Sequence, residues 1–270
     1  MKIEKIETSK KILIIAEIGN NHEGSVKNAK KLILLAKKSG VDAVKFQTYK
    51  TEQFVSKKNL KRFNQLKKFE LKESNFIELK NFAKKNGLLF ISTPFDLDSA
   101  KLLCKICDII KIASSDNNYL ELIDTVCLSR KPIIISTGLL KLEEIVRLYR
   151  YIISKHGQKI KKRLAFLHCI TAYPAKNEDL NLNFIKKLKK KIDCSIGFSD
   201  HSKGPIASIL SASLGAEIIE KHFTISKKFS QFRDHALSAD PDEMEFIVKN
   251  TKNIISILGH ERKKIKKNEK

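Results

Sequence analysis

Eight short apolar, β-branched runs recur along almost the whole chain. They are "ILIIA" (12–16), "VDAVKF" (41–46), "LLFIS" (88–92), "DIIKIA" (108–113), "PIIIS" (132–136), "LAFLHC" (164–169), "CSIGFS" (194–199) and "AEIIEKHF" (216–223). Each is nearly all apolar instead of alternating, the pattern of a strand buried on both faces. Amphipathic helical segments separate them, near 25–39, 73–86, 97–105, 118–128, 141–156, 180–191, 203–214 and 241–258. In the first, Val26, Ala29, Leu32, Ile33 and Ala36 share a face, Ser25 stands where an N-cap is needed, and Gly40 ends the pattern. Strand and helix in alternation predict a parallel sheet of the α/β class. Eight of each predict its closure into a (β/α)₈ TIM barrel, with a doubly wound sheet as the alternative.

The 270 residues suit one such barrel. No internal repeat or Pro- or Gly/Ser-rich linker marks a second domain, so 1–258 reads as a single barrel domain and 259–270 as a charged, frayed tail. One connection is long: residues 47–72 lie between the second strand and its helix, and loops of that size are usually functional or disordered. No apolar run approaches the ~20 residues that span a membrane. The opening "MKIEKIETSKK" has no signal-peptide core, and five cysteines, an odd count, argue for reduced thiols. A cytoplasmic location is expected. The pair in "CKIC" (104–107) has redox spacing but closes a helical segment without a second pair, and reads as packing.

The net charge of +23 invites a nucleic-acid reading, but only seven of the 53 basic residues are Arg. The lysines spread over most of the helical segments, no aromatics interleave with them, and base-edge recognition leans on the Arg fork. A solvated lysine-rich surface is expected, with no specific nucleic-acid partner, and its field would draw in an anionic substrate. A binder of polyanions is the weakest of the functional alternatives.

In barrels of this kind the active site gathers at the C-terminal ends of the strands. Polar residues cluster there without exception. The first strand ends at Glu17, Asn20 and His22; the second carries Lys45 and Gln47, which the period of two points the same way. Thr93 follows the third, Lys111, Ser114 and Ser115 the fourth, and Ser136 and Thr137 the fifth. His168, Thr171 and Tyr173 mark the sixth, Ser199, Asp200 and His201 the seventh, and Glu220 and His222 the eighth. Two lysines on apolar strands are costly unless an anion or carboxylate pairs with them, so with the nearby hydroxyls they predict a phosphate and carboxylate site. His201 and His222 end neighbouring strands and can converge, a pair that suits a divalent transition metal with open positions. His22 divides evenly between a site role and a histidine that holds its own turn. His168 reads as a structural hydrogen-bonder. Glu17, buried after "IIA", reads as functional. Asp234 sits on a loop after the last strand and divides evenly between site and solvent.

The segments "AEIGNNHEG", "VKFQT", "FISTPFD", "KIASSD", "ISTG", "HCITAYP", "GFSDHSKG" and "EKHFT…DHALSADP" together resemble the sialic acid synthase family, over residues 12–245. The resemblance implies condensation of phosphoenolpyruvate with an N-acetylated six-carbon amino sugar, N-acetylmannosamine or a legionaminic or pseudaminic acid precursor, with C–O cleavage and release of phosphate. It places a divalent metal on His201 and His222, Mn²⁺ in the first instance and otherwise Mg²⁺ or Co²⁺. It puts the phosphate and carboxylate on Lys45, Thr93, Lys111, Ser114, Ser136 and Ser199, proton transfer on Glu17 and Glu220, and the sugar against Gln47, Thr171, Tyr173 and Asp234. The family usually continues into a C-terminal antifreeze-like domain that contributes an Arg to the sugar site of a second subunit. This chain stops at 270 without it, as a shorter relative, or with that part encoded elsewhere, or with the partner Arg dispensable; a homodimer and a separately encoded antifreeze-like domain are the protein partners the resemblance suggests. The loop 54–72 and the segment before Asp234 match the family poorly, and both would touch the sugar. The competing expectation is another metal-dependent, phosphoenolpyruvate- or pyruvate-using aldol-type barrel with a different aldehyde acceptor.

Overall fold

The computed structural model describes residues 1–3, 6–8 and 10–259; the charged tail expected at 259–270 lies outside them except for Gly259. A two-stranded antiparallel hairpin, β1 (Lys2–Ile3) and β2 (Ile6–Glu7), precedes the barrel. The eight expected strands are all present: β3 (Leu13–Gly19), β4 (Ala43–Thr48), β5 (Leu89–Pro94), β6 (Ile109–Ile112), β7 (Ile133–Ser136), β8 (Leu164–Cys169), β9 (Ser195–Asp200) and β10 (Ile218–His222). They pair in parallel in chain order, and β10 returns to β3 to close the barrel. The doubly wound alternative is thereby set aside.

The expected helices form the outer ring: α1 (Val26–Lys38), α4 (Glu73–Lys85), α5 (Leu97–Ile106), α6 (Leu120–Leu128), α7 (Leu142–His156), α8 (Phe184–Lys191), α9 (Ile206–Ser213) and α11 (Pro241–Leu258). Ser25 caps α1, its side chain accepting from the Asn28 amide, and the four residues Ala29, Leu32, Ile33 and Ala36 are buried. No described helix is long and apolar enough to cross a membrane.

Three further helices lie where the sequence reading placed loops. Residues 47–72 are not an irregular or disordered loop: they carry α2 (Thr51–Phe54) and α3 (Leu60–Phe69). Asp234, expected on a loop, opens the short α10 (Asp234–Leu237). α3 escapes a periodicity reading because only Leu66 and Phe69 of its ten residues are buried, against a lysine-rich remainder.

The core has two layers. Leu13, Ile15, Ala43, Ile91, Ile134 and Leu167 belong to an inner cluster that fills the lower barrel. A larger cluster joins the outward side chains of the strands to the helices. Because strand side chains alternate, the residues two positions beyond the inner apolar layer also face inward, now at the open end. Ile15 is thus followed by Glu17, Ala43 by Lys45, Ile109 by Lys111, Ile134 by Ser136, and Ile218 by Glu220. The apolar layer is a floor, and the polar residues stand on it.

The CKIC pair packs as expected. Cys107 is fully buried and Cys104 half-buried with its thiol near the Thr125 carbonyl, and burial pushes both thiols above the ordinary cysteine range.

Candidate active site

Burial on the floor brings four ionisable side chains together. Lys45 Nζ lies 2.8 Å from Glu17 Oε2 and 3.8 Å from Glu220 Oε2, and Lys111 Nζ lies 3.9 Å from Glu220 Oε1. All four are at most 5 % exposed. Isolated, each would be costly to bury; together, two ammoniums and two carboxylates offset one another. The carboxylates part in character. Burial, reinforced by the Glu220 charge and only partly countered by Lys45, raises Glu17 to about 7. Burial pushes Glu220 the same way, but Lys111, Lys45 and the Ser199 hydroxyl outweigh it and hold it below the usual range. Burial would lower Lys45 and is overcome by Glu17 and Glu220, so its charge is secure; Lys111, where burial prevails, is lowered.

Hydroxyls surround the ammoniums. Lys45 donates to Thr93 Oγ1 at 3.1 Å, Lys111 donates to Ser136 Oγ at 2.6 Å, and Ser199 Oγ donates to Glu220 Oε1 at 2.9 Å. Ser114 Oγ accepts from the Gly138 amide at 3.2 Å. A Cβ on Gly138 would stand 2.2 Å from Thr171 Oγ1 and 2.7 Å from Ser114 Oγ, so the backbone itself forms this wall. On the opposite side the strand pairing is irregular just past Glu17, between Glu17 and Gly19, where Gly19 adopts φ +52. From there a chain of polar contacts runs outward. Gln47 Nε2 is 3.5 Å from Glu17 Oε1, Asn20 Nδ2 donates to Gln47 Oε1 at 2.9 Å, and Tyr49 OH donates to Asn20 Oδ1 at 3.2 Å.

The two histidines face each other across the seam of β9 and β10. Their ring centroids are 5.5 Å apart, and Tyr173 packs on His201 at 4.1 Å. His201 Nδ1 donates to the Ile170 carbonyl at 2.8 Å, which leaves its Nε2 as the lone-pair nitrogen. His222 Nδ1 is buried without a hydrogen-bond partner, and burial first of all holds that imidazole neutral, the ligating state; His201 is instead raised, as Cys169, the Ile170 carbonyl and Glu220 outweigh its burial, so it would give up a proton on binding an ion. With metal–imidazole bonds of about 2.1 Å, rings at this spacing can share one ion. Among the described residues no group of three or more His, Cys, Asp or Glu could hold a metal. The donor set on offer is therefore two imidazoles, with the remaining positions left to substrate oxygens or water.

Glu17, Lys45, Gln47, Thr93, Lys111 and Ser114 line one cavity of about 660 Å³, and so do Ser136, Thr171, Tyr173, Ser199, His201, Glu220, His222 and Asp234. The residues assigned to the site from sequence thus come together, whereas Thr137 and Asp200, also at strand ends, do not line the cavity. His22 does not join them. It is buried behind the rim, its Nδ1 accepts from the Gly24 amide at 3.0 Å, and burial lowers it to about 4: it holds its own turn. His168 Nε2 donates to the Leu180 carbonyl at 2.7 Å, the structural bond expected of it.

Two walls were not identified residue by residue from sequence. α2 and α3 supply Phe54, Asn59, Arg62 and Gln65, and the segment before α10 supplies Gln231 and Arg233. Phe69 and Phe232 meet edge to face at 5.2 Å and tie the two walls together. The length of the 47–72 connection was the available signal. Arg233 also lies over the Tyr173 ring at 5.6 Å and places Nε 3.2 Å from Asp234 Oδ1. Asp234 is nearly buried, which raises its carboxyl above the usual range.

Fold and cavity together define a (β/α)₈-barrel enzyme with a buried, lysine- and hydroxyl-lined cavity at the C-terminal ends of its strands. The chain belongs to the NeuB family, whose model matches residues 32–263. It is 38 % identical over 274 residues to the N,N'-diacetyllegionaminic acid synthase of Campylobacter jejuni, covering 96 % of this chain and 81 % of that one. It is 35 % identical over 275 residues to a pseudaminic acid synthase of the same species, covering 96 % and 78 %. Among solved structures, the N-acetylneuraminic acid (sialic acid) synthetase of Leptospira borgpetersenii in complex with citrate superposes with a TM-score of 0.92 at 34 % identity, covering 100 % of this chain and 93 % of that one.

Proposed function

We propose that this chain is a nonulosonic acid synthase, which condenses phosphoenolpyruvate with an N-acetylated six-carbon amino sugar and releases phosphate by C–O cleavage. The observation that carries the reading is the buried group of Lys45, Lys111, Glu17 and Glu220 opposite His201 and His222 in one cavity of a NeuB-family chain. The two ammoniums, with Thr93, Ser114, Ser136 and Ser199, form the polyanion pocket. They hold the phosphate and carboxylate and offset charge on the departing phosphate.

A divalent ion on His201 and His222, Mn²⁺ in the first instance, would polarise the acceptor aldehyde as a Lewis acid. The enol carbon C3 attacks that aldehyde. Glu17, which carries a proton up to about pH 7, is placed to deliver it to the oxygen that becomes a hydroxyl. Glu220, kept ionised, orients the water that adds at C2 and accepts its proton. The C2–O bond to phosphate then breaks. The acceptor side offers Asn20, Gln47, Asn59, Gln65 and Gln231, five amide side chains that match N-acyl and hydroxyl groups.

The test is phosphate release from phosphoenolpyruvate with Mn²⁺, with and without EDTA, using N-acetylmannosamine and 2,4-diacetamido sugars as acceptors. Metal-dependent release with one of these supports the reading and identifies the acceptor. Release with a simple aldose phosphate instead would favour the other aldol-type barrel reaction.

A further inference from the structure

Directly behind the two histidines, on the side of the sheet away from the cavity, lies a buried ion pair that the chemistry above does not use. Asp200 and Lys221 are register partners on β9 and β10, and their side chains are 0 % and 1 % exposed. Each immediately precedes a histidine, so strand alternation turns the charges outward where His201 and His222 turn inward. Asp200 is fully satisfied. Its Oδ1 accepts from the Ser202 amide at 2.8 Å and the Ser202 hydroxyl at 2.6 Å; its Oδ2 accepts from Ser208 Oγ of α9 at 2.6 Å and faces Lys221 Nζ at 3.0 Å. Lys221 also donates to the Ser202 carbonyl at 2.5 Å.

Lys221, the residue that precedes His222, thereby holds the residues on either side of His201. One contact falls on the residue before His201 and the other on the residue after it. The His201 carbonyl is fixed in turn by the Ala175 amide at 3.0 Å. We propose that the Asp200–Lys221 pair is a positioning device that sets the separation and orientation of His201 and His222 for one divalent ion. This rests on the two-histidine metal reading above. An apolar pair could fill the same space, and such replacements of buried ion pairs are often neutral for stability. What it could not do is direct two strand ends through oriented hydrogen bonds. Groups that fix a ligating histidine before the ion arrives govern metal affinity; the His201 ring itself bonds to the Ile170 carbonyl, and the ion pair acts on the strand ends that carry the two rings.

The experiment titrates Mn²⁺ into the metal-free protein and follows loss of the free-ion electron paramagnetic resonance signal, alongside thermal unfolding. In the double variant Asp200→Asn/Lys221→Met, the expected result is Mn²⁺ affinity weakened about 10–100-fold while the unfolding midpoint stays near wild type. Ser208→Ala, which removes one donor to Asp200, should weaken Mn²⁺ about threefold or more, and it decides the matter if the double variant does not fold. A folded variant that binds Mn²⁺ within about twofold of wild type overturns the proposal, because a merely structural pair would leave affinity alone. Wild-type protein that takes up no Mn²⁺, like a His201→Ala/His222→Ala control, overturns the metal reading itself and this inference with it. The two failures are thus told apart by the wild-type titration.

Discussion

Lys45 stands at the register position that pairs with Glu17, and its ammonium makes a 2.8 Å ion pair there while remaining within 3.8 Å of Glu220. One cation therefore serves both carboxylates, and they compete for it. Removing that cation leaves two buried carboxylates and an incomplete anion pocket. Lys45→Met is expected to lower kcat/KM for phosphoenolpyruvate by about 10²–10³-fold, the scale of losing one preorganised charge-stabilising group. Steady-state phosphate release checks this, with circular dichroism to verify folding.

The rise of Glu17 to about 7 has a signed consequence for stability. The native state holds a proton that the unfolded chain gives up near pH 4.3, so stability falls as pH rises from about 4.3 to about 7. Glu17→Gln should remove that slope from a plot of unfolding free energy against pH. The same substitution should erase a limb near pH 7 in the kcat/KM profile, a limb that belongs to the coupled Glu17–Glu220 pair. A profile unchanged by the substitution would remove Glu17 from proton transfer.

His222→Ala should lower kcat by about 10³-fold or more, since a Lewis acid contributes several kcal/mol and each 1.36 kcal/mol is a factor of ten. Binding of phosphoenolpyruvate by calorimetry should change little, because the ammoniums and hydroxyls are untouched. A fully active His222→Ala enzyme would sink the metal assignment.

At Gly138 a single methyl group meets Thr171 and Ser114 at sub-van der Waals distance. Gly138→Ala should displace that wall at a cost of about 1–3 kcal/mol and raise KM for both phosphoenolpyruvate and the sugar, because Ser114 faces the one and Thr171 the other. A phosphoenolpyruvate KM unchanged in a folded Gly138→Ala variant would argue against placing the phosphate there.

The α3 wall should read the acceptor. Gln65→Ala and Asn59→Ala are each expected to raise the acceptor KM by up to about tenfold, the value of one neutral hydrogen bond, with KM for phosphoenolpyruvate unchanged. Initial-rate measurements varying each substrate separate the two.

Most of the barrel was legible in the sequence because its strands are buried on both faces. That burial makes their apolar runs continuous, and any polar residue inside one, such as Lys45 or Lys111, stands out against the cost of burying it. The two-residue spacing of Glu220 and His222 gave their common direction for the same reason. α3 was hidden because it rests on the barrel through only Leu66 and Phe69. The β1–β2 hairpin was hidden because two-residue strands carry no period. His22 could not be placed from sequence, since a buried turn histidine and a ligand look alike until the Gly24 amide is seen bonding to it.

β10 closes the barrel by pairing with β3, and the closing register sets His222 beside Glu17. The first and last parts of the active site are therefore joined by pairing between residues that stand 205 positions apart in the sequence, 17 and 222. A chain emerging from the ribosome would possess nearly every helix and strand yet have neither a sealed anion pocket nor a second histidine until its last strand arrives. Chain entropy makes such distant pairing slow. In refolding, helical signal should return early and catalytic competence late, so a half-made molecule is chemically silent instead of partly active.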